Sequence, residues 1–162
     1  MSGYSKRASN SSKSSSRTEV VLDLPTVSKM LPLVQRIVDE LMAVEQQHGH
    51  LLTEQESLDR NRRNLSWPER KRRYDIQDDI NRAERGRRDL VSELETLGIS
   101  VIDPTFGRIG FPTIVNTKPA YFSWQPGEEE VVFWHFAGDT SKRRPIPASW
   151  KLDTPLASFK RK

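Results

Sequence analysis

The sequence predicts an α+β protein in which a long, coiled-coil-like antiparallel hairpin of two helices precedes a small antiparallel β-sheet. Residues 24–63 and 67–97 each carry apolar side chains at alternating intervals of three and four, as one face of a helix does. Only residues 64–66 separate the two stretches, and a connection this short joins antiparallel neighbours. After Gly98 the apolar period changes to two, which is typical of strands.

The first helix should begin after Asp23, a residue suited to capping, with Pro25 in the first turn, where its missing N–H costs little. Two apolar seams run along this helix and form a face wider than one partner helix covers. We therefore expect the β region or a second copy of the chain on its first half, and we favour a homodimer in a four-helix arrangement. The first seam is Val27, Leu31, Val34, Val38, Leu41 and Leu52, with Glu45 and His48 before its last member, and the second is Leu33, Ile37, Val44, Leu51 and Leu58.

The second helix carries its own start and stop signals. Ser66 is a good N-cap with Glu69 at the capping-box position, and Gly98 is placed to end the helix. The β region of residues 99–146 follows. A turn at residues 125–128, with proline and glycine placed for type II, predicts a β-hairpin between two strands of alternating apolar residues.

Length and composition bound the class of protein. The chain has 162 residues, a formal net charge of +4 and no cysteine, which excludes thiol catalysis, disulfides and cysteine-based metal sites. No apolar run approaches the roughly 20 residues that span a bilayer, and the N-terminus lacks the apolar segment of a signal peptide, so we expect a cytoplasmic protein. Residues 1–18 should form a disordered, Ser-rich basic tail, residues 19–152 a single α+β domain, and residues 153–162 a frayed basic end.

Several short motifs occur along the chain in a definite order. They are Leu22-Asp23-Leu24, Leu31-Pro32-Leu33, Leu97-Gly98-Ile99, Phe111-Pro112, Trp124, Trp134-His135, Gly138 and Arg143-Arg144-Pro145-Ile146. Through them, residues 20–146 resemble the uncharacterised bacterial domain-of-unknown-function family 2203. The resemblance implies a charged helical hairpin followed by strands, and it implies no established activity. The hairpin tip is more basic here than the family pattern leads us to expect.

The turn between the helices is surrounded by cations. From residue 60 to residue 73 there are seven basic residues and one acidic residue, Glu69. A local field of this strength attracts anions such as RNA, DNA, lipid headgroups or an acidic protein. The interleaved rings of Trp67 and Tyr74 suit stacking on bases. The alternative is a solvated tip in which Trp67 packs as a plug of the hairpin. The nucleic-acid-binding candidates are Arg60, Arg62, Arg63, Trp67, Arg70, Lys71, Arg72 and Arg73.

A second group of candidates lies in the β region. His135 ends a predicted strand and precedes a glycine turn and two arginines, residue types that suit the binding of a carboxylate or phosphate near neutral pH. The alternative is structural, with His135 capping a sheet edge and Arg143 or Arg144 paired with a carboxylate of the hairpin. The ligand-binding candidates are His135, Asp139, Arg143, Arg144, Trp124 and Trp134.

Other signatures of chemistry are weak. The sequence has no phosphate loop, nucleophile elbow or zinc-protease helix, and His48 and His50, two residues apart in a helix, do not share a face. We expect no catalytic residue, no metal and no cofactor. The function we favour is a non-catalytic intracellular binding or scaffold protein that uses the hairpin as its interaction surface. Nucleic-acid binding by the tip is the first alternative, and a small anionic ligand site or enzyme around His135 and Arg143 is the second.

Overall fold

The computed structural model describes residues 20–151, and the tails predicted at residues 1–18 and 153–162 lie outside the described residues. Within that range two helices pack against each other and an antiparallel sheet follows, so the α+β prediction is confirmed. Helix α1 covers Leu24–Arg60 and helix α2 covers Trp67–Thr96. At a rise of 1.5 Å per residue they are about 55 Å and about 45 Å long.

Helix α1 begins as the sequence predicts. Asp23 accepts a hydrogen bond of 2.8 Å from the backbone N–H of Thr26. Hydrogen bonding from Thr26 holds the pKa of the Asp23 carboxyl below its usual value. The helix ends at Arg60, earlier than predicted, because residues 61–64 form a turn with its own backbone hydrogen bonds.

The distal halves of α1 and α2 pack through a small hydrophobic cluster, which we call the distal cluster. In this half of the hairpin Leu51 is buried, whereas Leu52, the residue expected in the first seam, is 43% exposed. The reason is that α2 approaches α1 from the side of the second seam. The distal cluster consists of Leu51, Ile76, Ile80 and Ala83, with Leu58 partly buried against it.

A polar layer separates the distal cluster from the half of the hairpin that lies nearer the sheet. Arg87 of α2 pairs with Glu45 of α1, and one turn closer to the tip His48 Nε2 lies 3.4 Å from a carboxylate oxygen of Glu84. These groups stand at positions that face the partner helix. His48, which its spacing places in the first seam, therefore lies at the interface of the two helices.

The end of α2 depends on Gly98, as the sequence predicts. Gly98 has a φ of 82°, a left-handed conformation that glycine adopts without a steric penalty. This conformation lets the backbone N–H of Ile99 bond to the Leu94 carbonyl at 3.0 Å. A Cβ at position 98 would lie 3.3 Å from Val20, so the segment before α1 packs directly on this turn.

In residues 20–151 the sheet has five strands in chain order, and each strand is antiparallel to its neighbour. The predicted β-hairpin is present, with Gly127 of its turn at a φ of 100°. The strands are β1 (Ser100–Asp103), β2 (Arg108–Val115), β3 (Lys118–Trp124), β4 (Phe133–Phe136) and β5 (Arg144–Pro145), and a short 3-10 helix at Ala148–Lys151 follows.

One face of the sheet covers the first half of α1. Phe111 pairs with Phe122, and Phe122 pairs with Trp134, so these three side chains share a face. That face, the first seam of α1 and Ile37 belong to one hydrophobic cluster, the main core, so the β region covers much of the wide face of α1, while Leu33 of the second seam is 49% exposed. The buried members of the main core include Val27, Val34, Val38 and Leu41 from α1 and Ile109, Phe111 and Trp124 from the sheet.

Candidate functional site

The hairpin tip consists of the turn at residues 61–64 and the capped start of α2. Leu65 is only 6% exposed and lies between the two helix ends. The backbone N–H of Ser66 donates a 2.7 Å hydrogen bond to the carboxylate of Glu69, which is the interaction that the capping-box pattern predicts. This bond holds the pKa of the Glu69 carboxyl below its usual value. These contacts set the direction in which α2 starts, and hence where its first side chains point.

Arg72 is partly buried and forms ion pairs with two carboxylates. Its guanidinium lies 2.6 Å from the carboxylate of Glu54 in α1 and 2.7 Å from that of Asp79, which lies two turns farther along α2. The hydrogen bond from Arg72 holds the pKa of the Glu54 carboxyl below its usual value, and the same contacts raise the pKa of the guanidinium. Arg72 therefore joins the two helices, and its guanidinium already binds two carboxylates of the protein itself.

The other tip cations divide into paired and unpaired groups. Arg73 lies 2.9 Å from Asp59, and Arg60 lies 3.8 Å from Glu56. Arg70 donates a hydrogen bond of 3.2 Å to the backbone carbonyl of Leu65. Within the described part of the chain, the tip cations that make no ion pair are Arg62, Arg63, Arg70 and Lys71, and all four are exposed.

The two aromatic residues at the tip lie on the surface. The exposed fraction is 75% for Trp67 and 80% for Tyr74. The alternative in which Trp67 plugs the hairpin is therefore wrong, and the smaller Leu65 is buried there instead. In the described residues neither ring forms a hydrogen bond or an aromatic pair, so the fold gains little from either ring.

Trp67 and Tyr74 share the outward face of α2 with two of the unpaired cations. Residues 67, 70, 71 and 74 follow the helical spacing of one face, so the two rings flank Arg70 and Lys71. Ile76 is buried against α1 on the opposite side of the helix. The tip surface, defined as Arg62, Arg63, Trp67, Arg70, Lys71 and Tyr74, therefore combines exposed cations with exposed rings.

Sequence reasoning missed further cations on the same helix face. Arg82, eight residues after Tyr74, is followed at intervals of three residues by Arg85 and Arg88; all three are exposed, and Arg82 lies 3.6 Å from Asp79. Asp78 interrupts the row between Tyr74 and Arg82. The signal was present in the spacing, but the burial of the opposite face was needed to show which side of α2 points outward.

In the second group of candidates, His135 is fully buried in β4. Its Nδ1 lies 3.0 Å from the carbonyl oxygen of Phe136, and since a carbonyl can only accept, Nδ1 carries the proton. Its Nε2 is buried and has no hydrogen-bond partner among residues 20–151. The ring packs beside Tyr121, with 5.6 Å between ring centroids.

Arg143 is engaged by the loop between β3 and β4 and by β3 itself. Its guanidinium lies 2.8 Å from the carboxylate of Glu128 and donates a 2.9 Å hydrogen bond to the hydroxyl of Ser123. It also lies 4.4 Å from the centroid of the Phe133 ring. These contacts hold Arg143 by a carboxylate, a hydroxyl and an aromatic face of the protein itself.

The remaining candidates of this group lie apart. Arg144 lies 5.5 Å from the Trp134 ring centroid, on the sheet face opposite His135. The indole N–H of Trp124 donates to the backbone carbonyl of Glu128, the residue whose carboxylate binds Arg143. Asp139 accepts a hydrogen bond from Ser141 and lies 3.7 Å from the ammonium group of Lys142. The ligand site at these residues stays a prediction.

A groove of about 900 Å³ lies elsewhere, between the segment before α1, the end of α2 and the sheet. Its lining is mainly apolar and includes Val20, Val91, Pro112 and Tyr121, with one carboxylate from Glu95. The six predicted ligand residues do not line it. Among the described residues, no group of three or more His, Asp and Glu is placed to hold a metal ion.

Comparison with known proteins assigns the chain to a family. The family described as uncharacterized conserved protein (DUF2203) matches residues 21–146, which is most of the chain. The chain belongs to this family. The DUF2203 match covers the whole helical hairpin and the sheet, so the tip surface and the region around His135 both lie inside it. No curated protein and no solved structure is found to match the chain. In residues 20–151, no helix is long and apolar enough to cross a membrane.

Proposed function

We propose that this DUF2203 protein is a non-catalytic binding protein that uses its helical hairpin as the interaction surface, and that the tip binds nucleic acid. The observation that carries the proposal is the tip surface, where Trp67 and Tyr74 are exposed beside unpaired cations. Cations neutralise phosphates, and exposed rings stack on bases, so both parts of the surface match one ligand.

The rings favour nucleic acid over an acidic protein as the partner. Cations alone match the carboxylates of an acidic protein surface, so the acidity of such a partner accounts for the cations of the tip and not for its rings. A base offers a flat π-face that stacks on an aromatic ring whatever its sequence. The ion pairs of Arg72 with Glu54 and of Arg73 with Asp59 join α2 to α1 and so hold the helix that carries Arg70 and Lys71.

The test is fluorescence anisotropy of labelled RNA and DNA titrated with purified, nuclease-treated protein at about 50 mM and about 200 mM salt. We expect micromolar dissociation constants at the lower salt and much weaker binding at the higher salt, because each neutralised phosphate releases counterions. No binding of either nucleic acid at the lower salt would refute the proposal.

The matched variants are Arg63→Glu/Lys71→Glu at the tip and Lys29→Glu/Arg36→Glu on exposed positions of α1. Both pairs change the net charge equally, but Lys29 and Arg36 lie at least about 35 Å along α1 from the tip, beyond the screening length. We expect the variant Arg63→Glu/Lys71→Glu to bind at least about tenfold more weakly than wild type, and the variant Lys29→Glu/Arg36→Glu to lose little affinity. Equal losses would mean that net charge, not the tip, attracts the nucleic acid.

A further inference from the structure

We propose that the tip surface selects single-stranded over double-stranded nucleic acid, with Trp67 and Tyr74 as stacking platforms for two bases. The inference rests on the proposed function and adds the class of nucleic acid. The two rings stand seven residues apart on one helix, about 10 Å along its axis at 1.5 Å per residue. Arg70 and Lys71 lie between them on the same face.

The separation of the rings fits an open strand. A duplex rises about 3.4 Å per nucleotide and keeps the faces of its bases inside the stack, so a protein ring outside the helix meets none of them. In a single strand the bases turn outward, and two bases separated by one or two nucleotides can each meet a ring while the phosphates between them meet Arg70 and Lys71. The rings therefore add affinity only for the single strand.

The fold leaves both rings free for this use. Trp67 and Tyr74 are the most exposed of the large apolar residues described, and Ile76 and Ile80 hold α2 on its other side. Removing the rings therefore leaves the distal cluster and the ion pair of Arg72 with Glu54 in place. Ring variants should fold, which keeps the inference testable.

The cations set how many phosphates the tip reaches. If Arg62, Arg63, Arg70 and Lys71 each neutralise one phosphate, log K should fall against log salt with a slope of about −3 for a single strand. The rings contribute no charge. Replacing them should thus lower the affinity and leave the slope unchanged.

The experiment compares labelled single-stranded RNA and DNA oligonucleotides of about 12 nucleotides with the matching duplexes, using the wild-type chain. We expect the single strands to bind at least about tenfold more tightly than the duplexes. The RNA and DNA arms identify the source of the strand, because a preference for RNA would indicate contact with the 2′-hydroxyl. If neither the single strands nor the duplexes bind, the proposed function is refuted together with this inference. If both bind equally well, only the preference for single strands is overturned.

Three variants assign the preference to the rings. Trp67→Ala/Tyr74→Ala should bind single strands about as weakly as duplexes, while Trp67→Phe/Tyr74→Phe should keep most of the preference. Phe106→Ala is the matched control, because Phe106 is 63% exposed and precedes β2, far from the tip along the chain. The inference is overturned if the double alanine variant retains the preference or if Phe106→Ala loses it.

Discussion

At the scale of single residues, the tip shows that size and hydrophobicity do not decide which side chain is buried. Trp67 is the largest apolar residue near the turn and is 75% exposed, whereas Leu65 is buried. Leu65 precedes the N-cap Ser66, where the chain passes between the helix ends, while Trp67 begins the outward face of α2. An indole held in solvent by its position on a helix is available to a ligand.

The pairing of Glu54 with Arg72 predicts a pH dependence. The pKa of Glu54 is lower in the folded than in the unfolded chain, so its stabilisation is complete above the unfolded pKa of about 4.5 and is lost as the pH falls through the folded value. We expect Glu54→Gln to lower the free energy of unfolding by less than about 1 kcal/mol at pH 7, since both groups are partly exposed.

Urea unfolding of Glu54→Gln and wild type at pH 7 and pH 3 measures this dependence. The difference in unfolding free energy should be smaller at pH 3 than at pH 7, because the stabilisation declines once the pH is below the unfolded pKa of Glu54. Glu56→Gln is the control, because its contact with Arg60 is long and exposed. A difference at pH 3 as large as that at pH 7 would show that Glu54 acts through something other than its charge.

At the scale of elements, the helical hairpin contains features that cost stability. The pairs of Glu45 with Arg87 and His48 with Glu84 replace apolar packing in the helix interface. Gly49 and Gly86 stand close to this polar layer, one in each helix, and a methyl group added at either position would meet no neighbouring side chain within 4 Å. Glycine inside a helix costs about 1 kcal/mol relative to alanine, so the two glycines lower the stability of the middle of the hairpin.

Filling one of these positions should stabilise the hairpin. We expect Gly86→Ala to raise the free energy of unfolding by about 0.5–1 kcal/mol, because the position is helical and has room for a methyl group. Gly98→Ala is the contrasting variant and should destabilise, since Gly98 has a positive φ and Val20 lies against it. Chemical denaturation measures both changes, and a Gly86→Ala protein less stable than wild type would contradict the prediction.

At the scale of the whole molecule, the sheet and the hairpin tip depend on different hydrophobic clusters. The main core joins the first half of α1 to the sheet, whereas the distal cluster joins only α1 and α2 beyond the polar layer. The sheet covers the first seam of α1 and Ile37, so most of the wide face is buried without a second copy of the chain, and Leu33 is the member of its first half that stays exposed. The homodimer stays a prediction.

The separation of the clusters predicts unequal local stability. Amides around residues 31–41 and in β2 and β3 should exchange with solvent much more slowly than those of residues 51–58 and 72–80, since the distal cluster is small and lies behind a polar layer. Hydrogen exchange measured by mass spectrometry or NMR tests this difference. Equal protection of the two regions would mean that hairpin and sheet open as one cooperative unit.

The sequence alone determined the features that local chemistry specifies. The apolar period of each helix, the Asp23 cap, the Gly98 stop and the turn at residues 125–128 depend on residues near one another in the chain, and the structure contains all of them. The early end of α1 was missed, because residues 61–64 have no proline or glycine to mark a turn.

Only the tertiary structure decided which candidate residues remain available. Arg72 and Arg70 look alike in the sequence, but Arg72 meets Glu54, eighteen positions earlier, while Arg70 faces outward. Likewise Arg143 and Arg144 are adjacent yet lie on opposite faces of the sheet, one against Glu128 and the other against Trp134. These outcomes depend on the register between the helices and between the strands. The register brings charges from distant parts of the chain together, and no local sequence pattern specifies it.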